Sequence, residues 1–133
     1  MSGERDLRTL IAGMRPVLDP QPYVFATVRG PVPDVRSIMR FEEAEGTTLV
    51  LAPEAARAAG LETAFPCRRI TLNVHSALDA VGFLAAVTAR LAAEGMGVNP
   101  VAGFFHDYLF VPEDRAADAM AALRAMAEEA AVR

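Results

Sequence analysis

A weak internal repeat indicates that this chain is built from two related units. The segment VLAPEAARAAGL, which starts at Val50, resembles the segment LFVPEDRAADAM, which starts at Leu109. In each segment an apolar strand end is followed by Pro-Glu and then by an alanine-rich helical stretch, so that Pro53 matches Pro112. A strand-and-helix unit that occurs twice predicts two related α/β units, each about half of the 133-residue chain.

The clearest strand pattern begins the second half of the chain. Ile70, Leu72 and Val74 alternate with polar residues, which is typical of a strand with one buried face. Further on, strands at residues 98–105 and 108–111 are predicted to form a hairpin. A last helix is predicted from about Glu113, and its buried stripe consists of Ala116, Ala119, Met120, Leu123, Met126 and Ala127.

A long helix is predicted between these strands, over residues 77–94. Ser76 and Asp79 have the spacing of a capping box at its start, and Gly95 suits its end. Phe83 falls off the apolar stripe, so it is predicted to meet a partner surface or a bound molecule, or to be singly exposed or covered by a loop. The predicted stripe consists of Val81, Leu84, Ala85, Thr88, Leu91 and Ala92.

Together these elements predict the α+β class. The second half supplies β-α-β-β-α, one strand short of a ferredoxin-like β-α-β-β-α-β unit, and a strand at residues 23–28 is the expected source of the missing one. We therefore predict two intertwined βαββαβ-type units with antiparallel sheets and helices on one face. The N-terminal half, residues 1–62, has the order α-β-β-β-α, and the C-terminal half, residues 63–133, is completed by an N-terminal strand.

Charge and composition exclude several classes of function. A net charge of −4, with basic residues scattered along the chain, argues against a nucleic-acid partner. The single cysteine, Cys67, excludes an internal disulfide. The charged N-terminus MSGERDLRTL is unlike a signal peptide, and no apolar run reaches membrane-spanning length. We therefore expect a cytoplasmic protein without a membrane partner.

The pair His106-Asp107 is the most conspicuous polar group, and three interpretations stay open. A catalytic dyad would need a nucleophile nearby, a hairpin turn would use aspartate as a good turn residue, and the third interpretation is a ligand-binding face. Metal binding would need three or four converging ligands, whereas His75, His106 and Cys67 are far apart in sequence. We expect no metal and no cofactor.

The segment HSALDAVGFLAAVTARLAAEGMGVNPVAGFFHDYLFVP resembles the ACT domain, a small-molecule regulatory module of amino-acid metabolism. It is most similar to short bacterial tandem-ACT proteins, to the CASTOR-like arginine sensors and to aspartokinase-type ACT regulatory domains. The resemblance runs from about Phe65 to Leu123 and rests on the order of its elements. It implies a ferredoxin-like ACT fold, no catalysis, and an effector bound between paired ACT units.

The resemblance also implies which residues bind the effector. In ligand-binding members the loop from the first strand into the first helix holds the effector, and that loop is residues 75–82 here. The start of the next strand faces the same site, and in the arginine sensors so does an aromatic–Asp hairpin. The implied ligand-binding residues are His75, Ser76, Asp79, Val81, Gly82, Asn99, Phe104 and Asp107. Gly103-Phe104 replaces a Ser-Thr pair of the sensors, which removes a hydroxyl donor.

Three functions follow from these observations. The first is a regulatory protein that binds a small-molecule effector, an amino acid by its family, as a homodimer that acts on itself or on a regulated protein partner. The second is an interaction and oligomerisation module that keeps the fold without a ligand. The third, an enzyme on a ferredoxin-like scaffold, would need a convergent acid, base or nucleophile that the sequence does not display.

Overall fold

The computed structural model describes residues 3–132 and confirms the α+β class. The helices and strands are α1 Leu7–Gly13, β1 Val17–Val28, β2 Met39–Glu42, β3 Thr47–Leu51, α2 Pro53–Ala58, β4 Glu62–Thr71, α3 Phe83–Ala92, β5 Asn99–Ala102, β6 Asp107–Pro112 and α4 Ala116–Ala131. A 3₁₀ turn, Glu113–Arg115, precedes the last helix. The six strands form one sheet with the order β2-β3-β1-β4-β6-β5.

The chain divides into two compact units. One unit contains the residues up to Asp19 together with those from Arg68 onward, and its helices α1, α3 and α4 contact one another. The other unit is Pro20–Cys67. The first unit's core is larger and includes Leu10, Ile70, Phe83, Leu91, Leu109 and Leu123; the second is built on Val24, Ala26, Val28, Leu49, Leu51 and Ala56.

The start of α3 differs from the sequence prediction. The backbone on both sides of Ser76 is tied to Glu4: the Glu4 N–H donates to the His75 carbonyl at 2.8 Å, and the Ala77 N–H donates to the Glu4 carbonyl at 2.9 Å. Because these groups are engaged outside a helix, the Ser76–Asp79 capping box does not form. The helix begins six residues after the predicted position, at Phe83, behind Gly82, whose φ of 91° lies in the left-handed region that favours glycine.

This later start moves the buried face of α3. Phe83, Val87 and Leu91 stand four residues apart and are all buried, whereas Val81 precedes the helix and is 85% exposed. Phe83 itself is only 2% exposed. The predictions that Val81 belongs to the core and that Phe83 lies off it were therefore both wrong.

Strand β1 is longer than its predicted span of 23–28 and contains Pro20 and Pro22. Proline cannot donate to a strand ladder, which is why the sequence favoured a later start. The pairing with β3 runs from Val24 opposite Leu51 to Val28 opposite Thr47, beyond both prolines. The missing N–H groups therefore interrupt no bond to β3.

The β2–β3 hairpin turns at Glu45-Gly46. The Glu43 N–H donates to the Gly46 carbonyl at 2.8 Å. A Cβ on Gly46 would stand 2.6 Å from the backbone oxygen of Val28, which cannot yield as a flexible side chain does. We expect Gly46→Ala to lower the free energy of unfolding by about 1–3 kcal/mol, measured by urea denaturation.

Gly97→Ala is the matched control for the hairpin. Its added Cβ would meet no atom within 4 Å, and Gly97 does not have a positive φ. Its free energy of unfolding should stay within about 0.5 kcal/mol of the wild type. Equal losses in the two variants would contradict the steric role of Gly46.

Candidate functional site

A small cavity opens where the β4–α3 loop meets the start of α3 and the β5–β6 hairpin. Its volume is about 140 Å³. The buried part of its wall, its floor, contains Ser76, Ala77, Phe83 and Asp107. The more exposed part, its rim, consists of Leu78, Ala80, Gly82, Leu84, Ala85 and Ala102. Among the described lining residues, polar side chains therefore lie only on the floor.

The N-terminus of α3 forms one side of the cavity. Phe83, Leu84 and Ala85 are the first three helical residues, and their N–H groups precede the first acceptor available within the helix. The N-cap is Gly82, which has no side chain to satisfy them. Unsatisfied amides and the positive end of the helix dipole favour an anion, such as a carboxylate.

The Asp107 side chain also lines the cavity and is only 6% exposed. Its backbone is fixed at the start of β6, where Asp107 pairs with Ala102 and its carbonyl accepts from the Leu72 N–H at 3.0 Å. The Ser76 hydroxyl donates to the Ala77 carbonyl at 3.3 Å, and its interaction with the Asp107 carboxyl lowers the pKa of that group. Among residues 3–132, no cationic side chain forms a salt bridge with it.

Burial raises the pKa of Asp107, against smaller lowering effects from the charge of His106 and from the hydrogen bond of Ser76. A carboxylate can accept about four hydrogen bonds, and Ser76 can supply at most one of them, which leaves most of this capacity for other donors. The group is therefore desolvated without full compensation. An ammonium group in the cavity would supply both the missing charge and the missing donors.

The raised pKa of Asp107 makes a testable contribution to stability. The folded protein holds this proton more tightly than the unfolded chain, so the contribution is fully present below the ordinary pKa of 3.8 and is lost as the pH rises through the higher folded-state pKa. We expect the wild type to gain stability relative to Asp107→Asn as the pH falls from 7 toward 4. Urea denaturation of both proteins across this range measures the difference, and a pH-independent difference would contradict the assignment.

The structure brings three of the sequence-predicted site residues together in the cavity wall: Ser76, Gly82 and Asp107. The other five do not line it. Val81 and Asn99 are exposed, the latter on β5 opposite Phe110. Asp79 was predicted in the first turn of the helix but lies in the loop before it, where its carboxylate accepts from the Arg5 guanidinium at 3.0 Å.

His75 and Phe104 belong to a small aromatic group at the hairpin tip. The rings of His75 and Phe105 are 5.5 Å apart, and those of Phe104 and Phe105 are 4.9 Å apart and edge-on. Both phenylalanines are more than half exposed. His106 lies beside Asp107 in sequence but does not line the cavity, so the turn interpretation suits His106 and the ligand-face interpretation suits Asp107.

Most of the rim was not singled out from the sequence. Leu78 and Ala80 lay in the predicted effector loop, residues 75–82, without a role of their own, and Leu84, Ala85 and Ala102 were assigned only to a helix or a strand. The sequence contained one indication of the rim. Leu78 is apolar although it stands beside the charged Asp79, and both precede the helix, which begins only after Gly82.

Cys67 and possible metal ligands were also considered from the sequence. Cys67 is buried, and its thiol donates to the Tyr23 carbonyl at 3.5 Å. In the part of the chain that the structure describes, no group of three His, Cys, Asp or Glu side chains is placed to hold a metal ion. No helix among residues 3–132 is long and apolar enough to cross a membrane.

A larger groove of about 480 Å³ lies in the first unit, between the end of α1 and the last turns of α4. Its basic residues are Arg15 and Arg124. The Arg15 guanidinium donates to the carbonyls of Ala12 and Met14, at 3.0 and 2.7 Å, and so completes the end of α1. No buried charge faces this groove among its described lining residues, so the smaller cavity is the better functional candidate.

Comparisons with known proteins agree with the fold. Sequence models of the ACT domain match residues 2–68 and 65–125. Among curated proteins, none matches the sequence. A solved structure from Vibrio cholerae, described as a protein of unknown function and possible transport protein, is 43% identical; the match covers 95% of this chain and 99% of that one, with a TM-score of 0.83.

More distant structures share the fold alone. A protein from Agrobacterium tumefaciens is 16% identical over 80% of this chain and 84% of its own, with a TM-score of 0.68. The ligand-free regulatory subunit of aspartate kinase from Thermus thermophilus is 11% identical over 84% of this chain and 95% of its own, with a TM-score of 0.64. The resemblance found in the sequence and the ferredoxin-like fold are thereby confirmed.

Proposed function

Since this chain belongs to the ACT domain family and carries two such domains in tandem, we propose that it is a non-catalytic regulatory protein whose effector is an α-amino acid. ACT domains are regulatory ligand-binding modules, and the regulatory subunit of aspartate kinase shares the fold. The family leaves the effector open, so its chemistry has to be argued from the cavity of this chain.

The opposed polarity of the cavity is the observation that supports an amino acid. Free N–H groups at the start of α3 suit the α-carboxylate, and the buried Asp107 carboxylate suits the α-ammonium group. A ligand with a single charge would leave one side of the cavity unmatched. A zwitterion satisfies both sides at once.

Residue roles follow from these positions. Asp107 binds the ammonium group, Ser76 orients the Asp107 carboxyl, and Gly82 allows the backbone turn that presents the amides. We propose that the remaining family-implied residues form an outer shell that meets the effector or a second subunit: His75, Asp79, Val81, Asn99 and Phe104.

We also propose that the protein is a homodimer. Four apolar side chains in the two loops beside the cavity are more than half exposed: Leu78, Val81, Phe104 and Phe105. Exposed apolar groups that cluster around a binding site are typical of an interface. Cover by a second copy would also exclude water from the effector, and a ligand-dependent change in that contact would pass the signal to a regulated protein.

A thermal-shift screen against the twenty amino acids tests the proposal. An effector at a hundred times its dissociation constant should stabilise the protein by about 2.7 kcal/mol and raise Tm by several degrees. Nucleotides serve as the control class, because a nucleotide phosphate would meet the Asp107 carboxylate. A shift by nucleotides without any shift by amino acids would contradict the assignment.

The exposed aromatic pair, Phe104 and Phe105, specifically favours a second function: an interaction module that uses the same fold without an effector. Analytical ultracentrifugation of the wild type and of Phe104→Ser, with and without amino acids, measures the oligomeric state and distinguishes the regulatory protein from the interaction module. A dimer that dissociates in the variant but never responds to an amino acid would favour the interaction module.

A further inference from the structure

We infer that the effector is an amino acid with an uncharged, apolar side chain, an inference that rests on the proposed function and narrows it. The polar side chains of the described cavity wall lie only in its buried part. The two polar side chains, Ser76 and Asp107, are buried on the floor. The described rim residues are Gly82, leucines and alanines.

The volume of the cavity decides how far the effector enters. About 140 Å³ holds about five water molecules at about 30 Å³ each. The common head of an amino acid consists of five heavy atoms: the nitrogen, Cα and the three atoms of the carboxylate. The head therefore fits within the cavity when its charges reach the floor, and the side chain that leaves Cα meets the rim.

The rim offers a side chain apolar contact. Leu78 lines the cavity and is 62% exposed, so part of its surface is available to a ligand that leaves the cavity beside it. Burial of apolar ligand surface against such a rim is favourable, at about a fourfold gain in affinity for each fully buried methylene. Contact with a polar side chain would bring no comparable gain.

Charged side chains lack a matching group at the rim. Asp79, between Leu78 and Ala80 in sequence, would be the natural partner of a basic ligand, but its carboxylate already receives Arg5, with nitrogen–oxygen distances of 3.0 and 3.3 Å. The same ion pair engages the guanidinium that an acidic ligand would seek. Neither residue of this pair is among the described residues that line the cavity, so a charged side chain finds no partner there and an apolar one needs none.

Calorimetric titration with glycine, alanine, valine, leucine, aspartate and arginine tests the inference. We expect leucine or valine to bind at least about tenfold more tightly than glycine, and aspartate and arginine to bind more weakly than leucine. Leu78→Ser should reduce the preference for leucine over glycine by about threefold or more. Phe41→Ser is the matched control, because Phe41 is 63% exposed on β2, in the other compact unit, and should leave the preference unchanged.

The outcomes of the titration distinguish the apolar specificity from the proposed binding of an amino acid, on which it rests. Tightest binding of arginine or aspartate, or equal binding of glycine and leucine, would overturn the apolar specificity and leave the amino-acid site in place. Absence of binding by every amino acid in the series, glycine included, would overturn both.

Discussion

Asp107→Asn is expected to lose at least about 30-fold in affinity for the amino-acid effector at pH 7. Removal of one partner of a buried, hydrogen-bonded charge pair costs about 2–5 kcal/mol of binding free energy, and 2 kcal/mol corresponds to about 30-fold. The free variant should be at least as stable as the wild type at this pH, because burial opposes the charge that the substitution removes. Calorimetric titration measures the first effect and urea denaturation the second.

Asp118→Asn is the matched control. Asp118 lies on α4 with an exposed carboxylate that pairs with Arg115 at 2.8 Å, and such surface pairs contribute little. Its affinity for the effector should equal that of the wild type. An Asp107→Asn protein that is folded and binds the effector with wild-type affinity would remove Asp107 from the site.

Phe83→Ala is expected to lower the free energy of unfolding by about 3–5 kcal/mol, whereas Val81→Ala should change it by less than about 0.5 kcal/mol. The Phe83 ring is fully enclosed in the first unit's core, and the Val81 side chain is exposed in the loop before α3. The two substitutions test the start of α3 directly, because a helix that began at residue 77 would place Val81 inside the core and Phe83 outside it.

Urea denaturation of the two variants provides the comparison. Phe83→Leu keeps most of the apolar volume and should cost less than about 1.5 kcal/mol, so it remains measurable if Phe83→Ala does not fold. A larger loss in Val81→Ala than in either Phe83 variant would show that α3 starts where the sequence pattern places it.

The fold could be predicted from the sequence where periodicity and local chemistry agree. The alternation through Ile70 and Leu72 and the alanine-rich stripe of α4 depend on neighbours within a few residues, and the structure buries both as predicted. The ACT resemblance extended this pattern to a complete topology. The first unit is accordingly the better predicted of the two.

The start of α3 could not be read from local pattern, because a residue far away in sequence decides it. Glu4 bonds to the backbone at His75 and Ala77, a contact across about seventy residues that takes these groups from any helix. The capping-box spacing of Ser76 and Asp79 therefore carried no structural information. Arg5 acts similarly on Asp79, whose role in an ion pair no local rule reveals.

The candidate site shows the same division. The family resemblance indicated Ser76, Gly82 and Asp107, and the structure places them around one cavity. The confinement of polar side chains to the buried floor depends on how α3, the β4–α3 loop and β6 pack together. The apolar rim that remains narrows the expected effector, and it could not be predicted from the sequence alone.

An NMR titration tests the central claim most directly, namely that the cavity at the start of α3 binds an amino acid. The ¹⁵N-labelled protein is titrated at pH 7 with leucine and then with each of the other amino acids, and the chemical shifts of the backbone amides are followed. We expect the largest shifts at the amides of Phe83, Leu84, Ala85 and Asp107. Largest shifts around Arg15 and Arg124, in the other groove of this unit, or no shifts with any amino acid, would contradict the account.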